Sequence, residues 1–306
     1  MTTRRHFAWK LRDRELLTGE RTLILAVLNV TPDSFSDGGK YLDPDAAFAR
    51  AIELEEQGAD IIDIGAESTR PGSQRTPEAE ELRRLIPVLK RLRGKLAVPI
   101  SVDTYKSAVA EKALDHGAEI INDPSGLTFD PQLARTVANQ NAGLILNHMR
   151  GTPETWAKLP PLPDVMGSIR HDLDASVHRA VGSRVDRARI VIDPGLGFGK
   201  RKEQNAEILA RLDELAALEL PILVGPSRKS FLPQSDTTTA ALLEHATAAA
   251  VTAAILGGAH MVRVHDVAAM KPVIQVADQI LSFAGTSDSS ASRAAQPRSG
   301  GSPSRR

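Results

Sequence analysis

Arg263 and His265 stand two residues apart at the end of an aliphatic run, Ala259–Val264. Residues two apart on a strand share a face, so both side chains are expected in one place. Lys229 lies in Gly225-Pro226-Ser227-Arg228-Lys229-Ser230-Phe231, where a helical turn is expected to start. Arginine, histidine and lysine beside a helix N-terminus make a cationic corner whose natural occupant is phosphate or pyrophosphate. A structural ion pair of Arg263 with Asp266 or Asp103 is the alternative. Asp103, Asn122 and Asp193 each close a different aliphatic run. Together they suit a flat purine-like or pterin-like heterocycle, whose amino-amide edge offers two adjacent donors to one carboxylate. The glycine-dense stretch Asp193-Pro194-Gly195-Leu196-Gly197-Phe198-Gly199-Lys200 adds close backbone approach and, in Phe198, a ring to stack on such a heterocycle. Its glycine pattern alone is a weak phosphate-loop signal. Paired carboxylates also serve glycoside hydrolysis, but that chemistry leaves the cationic corner unused.

The elements that must carry these residues repeat one phrase, an aliphatic run followed by an amphipathic stretch. The runs are Leu23–Val30, Asp60–Gly65, Val98–Asp103, Ala118–Asn122, Gly143–Asn147, Arg189–Asp193, Pro221–Gly225 and Ala259–Val264. Helical stretches fall at 44–58, 77–93, 105–116, 130–140, 164–182, 203–217, 238–257 and 266–283. Runs this rich in Ile, Leu and Val read as parallel strands buried on both faces. Eight such units in about 260 residues predict a single (β/α)8 TIM barrel. An open doubly wound sheet is the competitor, but no GxGxxG fingerprint follows the first strand. Active sites in a barrel collect at the C-terminal strand ends. There the sequence also places Asn29, Asp63 with Glu67, Asp123, and Asn147 with His148. Helix caps and turns account for any one of these; a whole ring of them predicts a ligand-binding mouth. Two loops, 29–39 and 65–73, are expected to close over it.

Residues 1–22 are expected to form an extension, a hairpin plugging the opposite mouth, before the catalytic unit at 23–284. The serine-, glycine- and arginine-rich tail 285–306 is expected to be disordered. Lys plus Arg number 38 and Asp plus Glu 38, so formal charge is zero and nucleic-acid or membrane-surface binding is disfavoured. The absence of cysteine excludes disulfides, thiolate metal sites and cysteine nucleophiles. With no long apolar run and no secretory leader pattern, the expectation is a soluble, cytoplasmic protein.

From about Leu23 to Phe283 the sequence resembles the dihydropteroate synthases of folate biosynthesis. The resemblance rests on Asn29-Val30-Thr31-Pro32-Asp33-Ser34-Phe35-Ser36-Asp37-Gly38-Gly39, on Asp63-Ile64-Gly65 through Glu67-Ser68-Thr69-Arg70-Pro71-Gly72, and on Ser101-Val102-Asp103-Thr104. It continues through Ile121-Asn122-Asp123, Asp193-Pro194-Gly195, Ser227-Arg228-Lys229-Ser230-Phe231 and Arg263-Val264-His265-Asp266. It implies condensation of 6-hydroxymethyl-7,8-dihydropterin pyrophosphate with 4-aminobenzoate. The pterin would be held by Asp103, Asn122, Asp193 and Lys229, with Phe198 and Asn147 alongside. Pyrophosphate would meet Arg263 and His265, with Mg2+ bound through Asn29. Aminobenzoate would lie among Phe35, Thr69, Arg70, Pro71, Phe198 and the start of a helix at Ser230. The resemblance also implies a homodimer and a sulfonamide target. Asn147 stands where the family often has Met, Pro124 where it has Val, and Pro233 where it has Gly.

The mechanism this implies is charge-based. Pyrophosphate leaves, a cation delocalises into the pterin ring beside Asp37, and the weak arylamine nucleophile then attacks. No strong general base is needed, in keeping with the lack of a nucleophile–base pair. A methyltetrahydrofolate-binding methyltransferase domain and a silent pterin-binding paralogue are the rivals; the first has no use for the cationic corner, and the second would have eroded its loops.

Overall fold

The computed structural model describes residues 4–31, 43–68, 70, 72–233 and 239–293, with 284–293 as backbone. The expected residues Phe35, Asp37, Thr69 and Pro71 therefore lie outside the described residues.

The chain opens with an antiparallel hairpin, β1 (Phe7–Lys10) and β2 (Glu15–Thr18). There follow β3 (Leu23–Asn29), α1 (Pro44–Gln57), β4 (Ile61–Gly65), α2 (Glu78–Leu92), β5 (Ile100–Asp103) and α3 (Ser107–Asp115). The second half runs β6 (Ile120–Asp123), α4 (Leu133–Asn139), β7 (Gly143–Asn147), α5 (Val165–Gly182), β8 (Ile190–Asp193) and α6 (Lys202–Ala210). It ends with β9 (Leu223–Val224), α7 (Ala240–Leu256), β10 (Met261–Val264) and α8 (Val267–Arg293). Strands β3 to β10 form one parallel sheet in the order β8-β7-β6-β5-β4-β3-β10-β9, and a parallel bridge between Ile192 and Ile222 joins its two ends. The sheet is the expected TIM barrel. Its thinnest strand is β9, because Pro221 and Pro226 flank it and cannot donate to a ladder.

The plug also forms. Trp9 and Leu11 are buried in one cluster with Leu25, Ile61, Ile120, Ile145, Val191, Leu223 and Met261, the inward residues of the barrel's lower layer. The Trp9 indole N–H donates to the Arg189 carbonyl (2.8 Å), so the ring is buried without an unsatisfied donor. Gly143 makes room for the hairpin: a Cβ there would stand 2.6 Å from Leu11 and 3.2 Å from Trp9.

Two local expectations meet differences. Residues 227–232 are turns, not the start of a helix, and α7 begins only at Ala240, capped by Thr239. Arg228 adopts a left-handed backbone (φ 56°), and Pro226 and Pro233 bracket the segment, so a helix cannot propagate there. At the other end α8 is helical through Arg293, and the rest of the tail lies outside the described residues.

Trp9→Ala should lower unfolding free energy by about 3–5 kcal/mol, by loss of buried surface and the cavity left behind. A denaturant melt measures it. Turnover per folded molecule should hold, because the plug sits at the mouth away from the polar strand ends.

Candidate active site

One alternation builds the site. Two positions beyond each inward apolar residue, the same strand face carries a different side chain: Asp63 after Ile61, Asn122 after Ile120, Asn147 after Ile145, Asp193 after Val191, Arg263 after Met261. Five of the residues lining the resulting cleft are Asp103, Asn122, Asp193, Lys229 and Arg263, with Asn147, Leu196 and Phe198 beside them. The barrel interior thus turns from hydrocarbon to charge in one layer.

Arg263 organises that layer. Its Nε donates to Asp63 (2.7 Å) and its Nη2 to Asp103 (3.0 Å). Asp63 is fully buried and also accepts from the Asn122 amide (3.1 Å). Burial pushes the Asp103 carboxyl up to about 7, against the pull of Arg263 and with a further push from Asp63. Burial likewise raises Asp193, whose Oδ1 accepts the Gly195 N–H (2.7 Å). Lys229 falls to about 8, chiefly by burial and by repulsion from Arg263. Its ammonium stands 4.0 Å from the Phe198 ring centroid, and Trp156 meets the same ring edge-on at 5.3 Å. Phe198 is accordingly a wall of the cleft whose face is already covered by a cation.

The expected alternative for Arg263, an ion pair with Asp103, is present, and Asp63 joins it. His265 departs from the expected cationic corner. Burial and the neighbouring cations Arg263, Arg228 and Lys229 hold its pKa well below the usual histidine value, so at neutral pH it offers hydrogen bonds and no charge. Its Nδ1 lies 3.0 Å from Ser227 Oγ. Positive charge in the corner comes from Arg263 and Lys229.

Several residues expected at the mouth turn elsewhere, the first two because they neighbour a cleft-facing residue along the strand. Asp123, next to Asn122, accepts from Ser125 and Leu127 and closes a turn. His148, next to Asn147, meets Asp172 on α5 (3.1 Å). Glu67 pairs with Lys106 behind the second loop. Ser230 lies in a turn, and Arg70 is at the second loop beyond β4. Asn147 lines the cleft with its Oδ1 buried and unbonded among the described residues.

Sequence reasoning missed Lys200. Its buried ammonium donates to the carbonyls of His148 (2.6 Å), Pro194 (2.8 Å) and Gly195 (2.7 Å). It therefore ties the end of β7 to the end of β8, beside Asn147 and Asp193. Gly195 permits this approach, with φ 69° and a Cβ position only 2.0 Å from the His148 carbonyl oxygen. Only glycine density hinted at such crowding.

Asn29 ends β3 half-buried, and a Cβ on Gly65 would stand 3.3 Å from its Oδ1 and 3.8 Å from Asp103 Cβ. Glycine thus keeps open the space between the two. No cluster of three acidic or histidine side chains fit for a metal exists among the described residues. One hard oxygen in an open space still fits Mg2+, which keeps waters and phosphate oxygens and needs few protein ligands. A larger cavity, about 380 Å³, lies at the opposite barrel end near Arg12, Arg14 and Glu119. It does not compete as the reactive site, because Arg12 and Arg14 donate to the Leu114 and Ala97 carbonyls and the charges there are mixed.

A family model described as pterin binding enzyme matches residues 25–265, from inside β3 to just beyond β10. The dihydropteroate synthase of Synechocystis sp. is 44% identical over 263 residues, which span 86% of this chain and 91% of that protein. The crystal structure of the Clostridium difficile dihydropteroate synthase in the presence of pteroic acid aligns with a TM-score of 0.79 and 42% identity, covering 86% of this chain and 98% of that one. That of the Xanthomonas albilineans enzyme with 4-aminobenzoic acid aligns at 0.78 and 38%, covering 86% and 95%. The chain belongs to the pterin-binding enzymes and, among them, to the dihydropteroate synthases. It is a transferase of folate synthesis.

The electrostatics are directly testable. The Asp103 carboxyl should titrate near pH 7, and Arg263→Met should move its midpoint upward by removing the main charge that opposes burial. Carbon-13 NMR of aspartate-labelled protein reads both; an unmoved midpoint would contradict the pairing.

Proposed function

We propose that the chain makes 7,8-dihydropteroate by a dissociative substitution. In this reading the bond from the pterin methylene carbon to the pyrophosphate oxygen breaks first, and both electrons leave with pyrophosphate. The resulting carbocation delocalises into the dihydropterin ring, the 4-aminobenzoate amine attacks it, and the amine proton is lost last. The observation that carries the reading is Arg263 held at the mouth between Asp63 and Asp103, with Lys229 and Asp193 lining the same cleft.

Asp103 and Asp193 supply carboxylates for the amino-amide edge of the ring, and Asn122 is oriented for it by Asp63. When ring donors occupy Asp103, the Arg263 Nη2 is released from it while Nε stays on Asp63. The freed donor then faces the charge developing on pyrophosphate, where a preorganised donor acts most strongly. Lys229 adds positive charge and His265 an uncharged hydrogen bond. Mg2+ held by Asn29 and the pyrophosphate oxygens would add positive charge at the leaving group. Asp37 on the first loop would stabilise the ring cation, and Phe35, Thr69, Arg70, Pro71 and Ser230 would surround the aminobenzoate.

The same reading carries a cytoplasmic homodimer. Val276, Ile280 and Phe283 on α8 are 56%, 41% and 70% exposed at helical spacing, and Leu242 on the apolar α7 is 53% exposed. An exposed apolar face of this kind favours self-association.

A turnover assay with both substrates tests the reaction itself; no dihydropteroate from folded protein would reject it in favour of a pterin-binding module. Arg263→Lys keeps the charge against Asp63 but loses the two-pronged geometry. It should lower kcat about a hundredfold, as expected for removing one transition-state donor, with little change in melting temperature. Destabilised but fully active protein would reject the leaving-group role. Sulfonamides should bind well only once pyrophosphate and Mg2+ are present, because these complete the aminobenzoate site. Calorimetry with and without pyrophosphate decides, and equal affinities contradict coupled assembly.

A further inference from the structure

A second cluster of charge lies behind the mouth. Lys106, the residue before α3, pairs with Glu67 of the second loop and with Glu81 in the first turn of α2. Tyr105 Oη donates to Glu67 as well (2.9 Å). Side chains are nearly sealed: Glu81 is 1% exposed, Glu67 10% and Lys106 16%. None of the four reaches the cleft between Asp103 and Arg263. Buried charges at this depth are costly unless held, so breaking the pair by removing one partner should displace the backbone that carries the other.

What hangs from this cluster is the second loop. Glu67 stands two residues beyond the end of β4 and three before Arg70. The Ala66 carbonyl accepts from Arg84 (3.0 Å), which ties the same stretch to α2. At the far side Gly72 N–H donates to the Pro153 carbonyl (2.9 Å), and Ser73 Oγ lies 2.7 Å from the Ser68 and Arg70 carbonyls. Glu67 is thus a charged tether of the loop, and its partner Lys106 sits in the turn between β5 and α3. The turn that holds it, Asp103-Thr104-Tyr105-Lys106, also carries the pterin-side carboxylate.

We propose that Glu67 and Lys106, with Tyr105, are positioning residues for 4-aminobenzoate. They touch neither substrate; they fix the second loop against the end of β5 and so set the affinity of the aminobenzoate side. The proposal rests on the dihydropteroate synthase reading for which substrate the loop meets.

The test is steady-state kinetics on full-length Glu67→Gln, Lys106→Met, the double variant and Tyr105→Phe, beside wild type. Glu67→Gln and Lys106→Met should each raise KM for 4-aminobenzoate about tenfold, while kcat and KM for the pterin pyrophosphate stay within about twofold. The double variant should be no worse than Lys106→Met, because the Glu67–Lys106 contact is already lost there, and Tyr105→Phe should have a smaller effect in the same direction. An unchanged aminobenzoate KM in folded Glu67→Gln overturns the proposal. So does a parallel rise in both KM values with a fall in melting temperature, which marks a merely structural pair. If Lys106→Met fails to fold, Glu67→Gln and Tyr105→Phe still decide. Wild type without turnover would reject the reaction, an outcome distinct from normal wild-type turnover with insensitive variants.

Discussion

Arg263 cannot sit inside a barrel without carboxylates to receive it, and most of the mouth follows from that demand. Burying an isolated guanidinium costs several kcal/mol, and two carboxylates with directed hydrogen bonds offset that cost. Asp63 supplies one and Asp103 the other. Because Asp63 also orients Asn122, one buried carboxylate fixes a residue assigned to the leaving group and another assigned to the ring. The residues assigned to the two halves of the reaction are therefore braced against the same oxygen, Asp63 Oδ2. The crowding of acids and cations in one layer also explains the shifted titrations. Burial raises Asp103 and Asp193 and lowers Lys229, their neighbours answering only part of that penalty. At Arg263 the surrounding carboxylates outweigh burial and raise the pKa.

Much of this was legible in the sequence, for a definite reason. Parallel strands buried on both faces must be nearly continuous aliphatic runs, so all eight barrel strands stand out and their ends mark the mouth. The plug was legible through Trp9 and Leu11, apolar residues ahead of the first barrel strand. What the runs do not encode is side-chain direction in the final residue or two. Asn122 and Asp123 are chemically similar and adjacent; the pleat alone sends one to the cleft and the other into a turn. The same division separates Asn147 from His148. Sequence also could not show that the His265 pKa is lowered, since that depends first on burial and then on cations brought beside it from separate segments.

Other misses have a different origin. The helix start expected at Ser230 fails because the left-handed backbone of Arg228 turns the chain away, a property no side-chain pattern announces. Lys200 was invisible because its partners are backbone carbonyls. Ion pairs leave a trace in sequence as opposite charges at suitable spacing; a lysine bound to carbonyls leaves none. Its role is nevertheless specific. With three acceptors satisfied, its ammonium holds the ends of β7 and β8 together and leaves the Gly195 N–H for Asp193.

The site is thus held in two ways that suit its two parts. Asp103, Asn122, Asp193 and Arg263, which the proposal assigns to ring and pyrophosphate, are mounted on strands, where backbone ladders fix Cβ positions and the remaining freedom is a few side-chain rotations. The second loop has no such ladder; its described residues are held by single hydrogen bonds, such as those from Arg84 to the Ala66 carbonyl and from the Gly72 N–H to the Pro153 carbonyl. Under the proposal Glu67 adds a charged tether at the base of that loop. That tether draws its partner from the turn after Asp103, so the loop and the Asp103 carboxylate are braced through one short segment of backbone. Any displacement of Asp103, such as an exchange of Arg263 for ring donors, is then applied within three residues of the loop's anchor. A (β/α)8 barrel favours this arrangement, since adjacent strands must end side by side and the loop after one strand always borders the turn after the next.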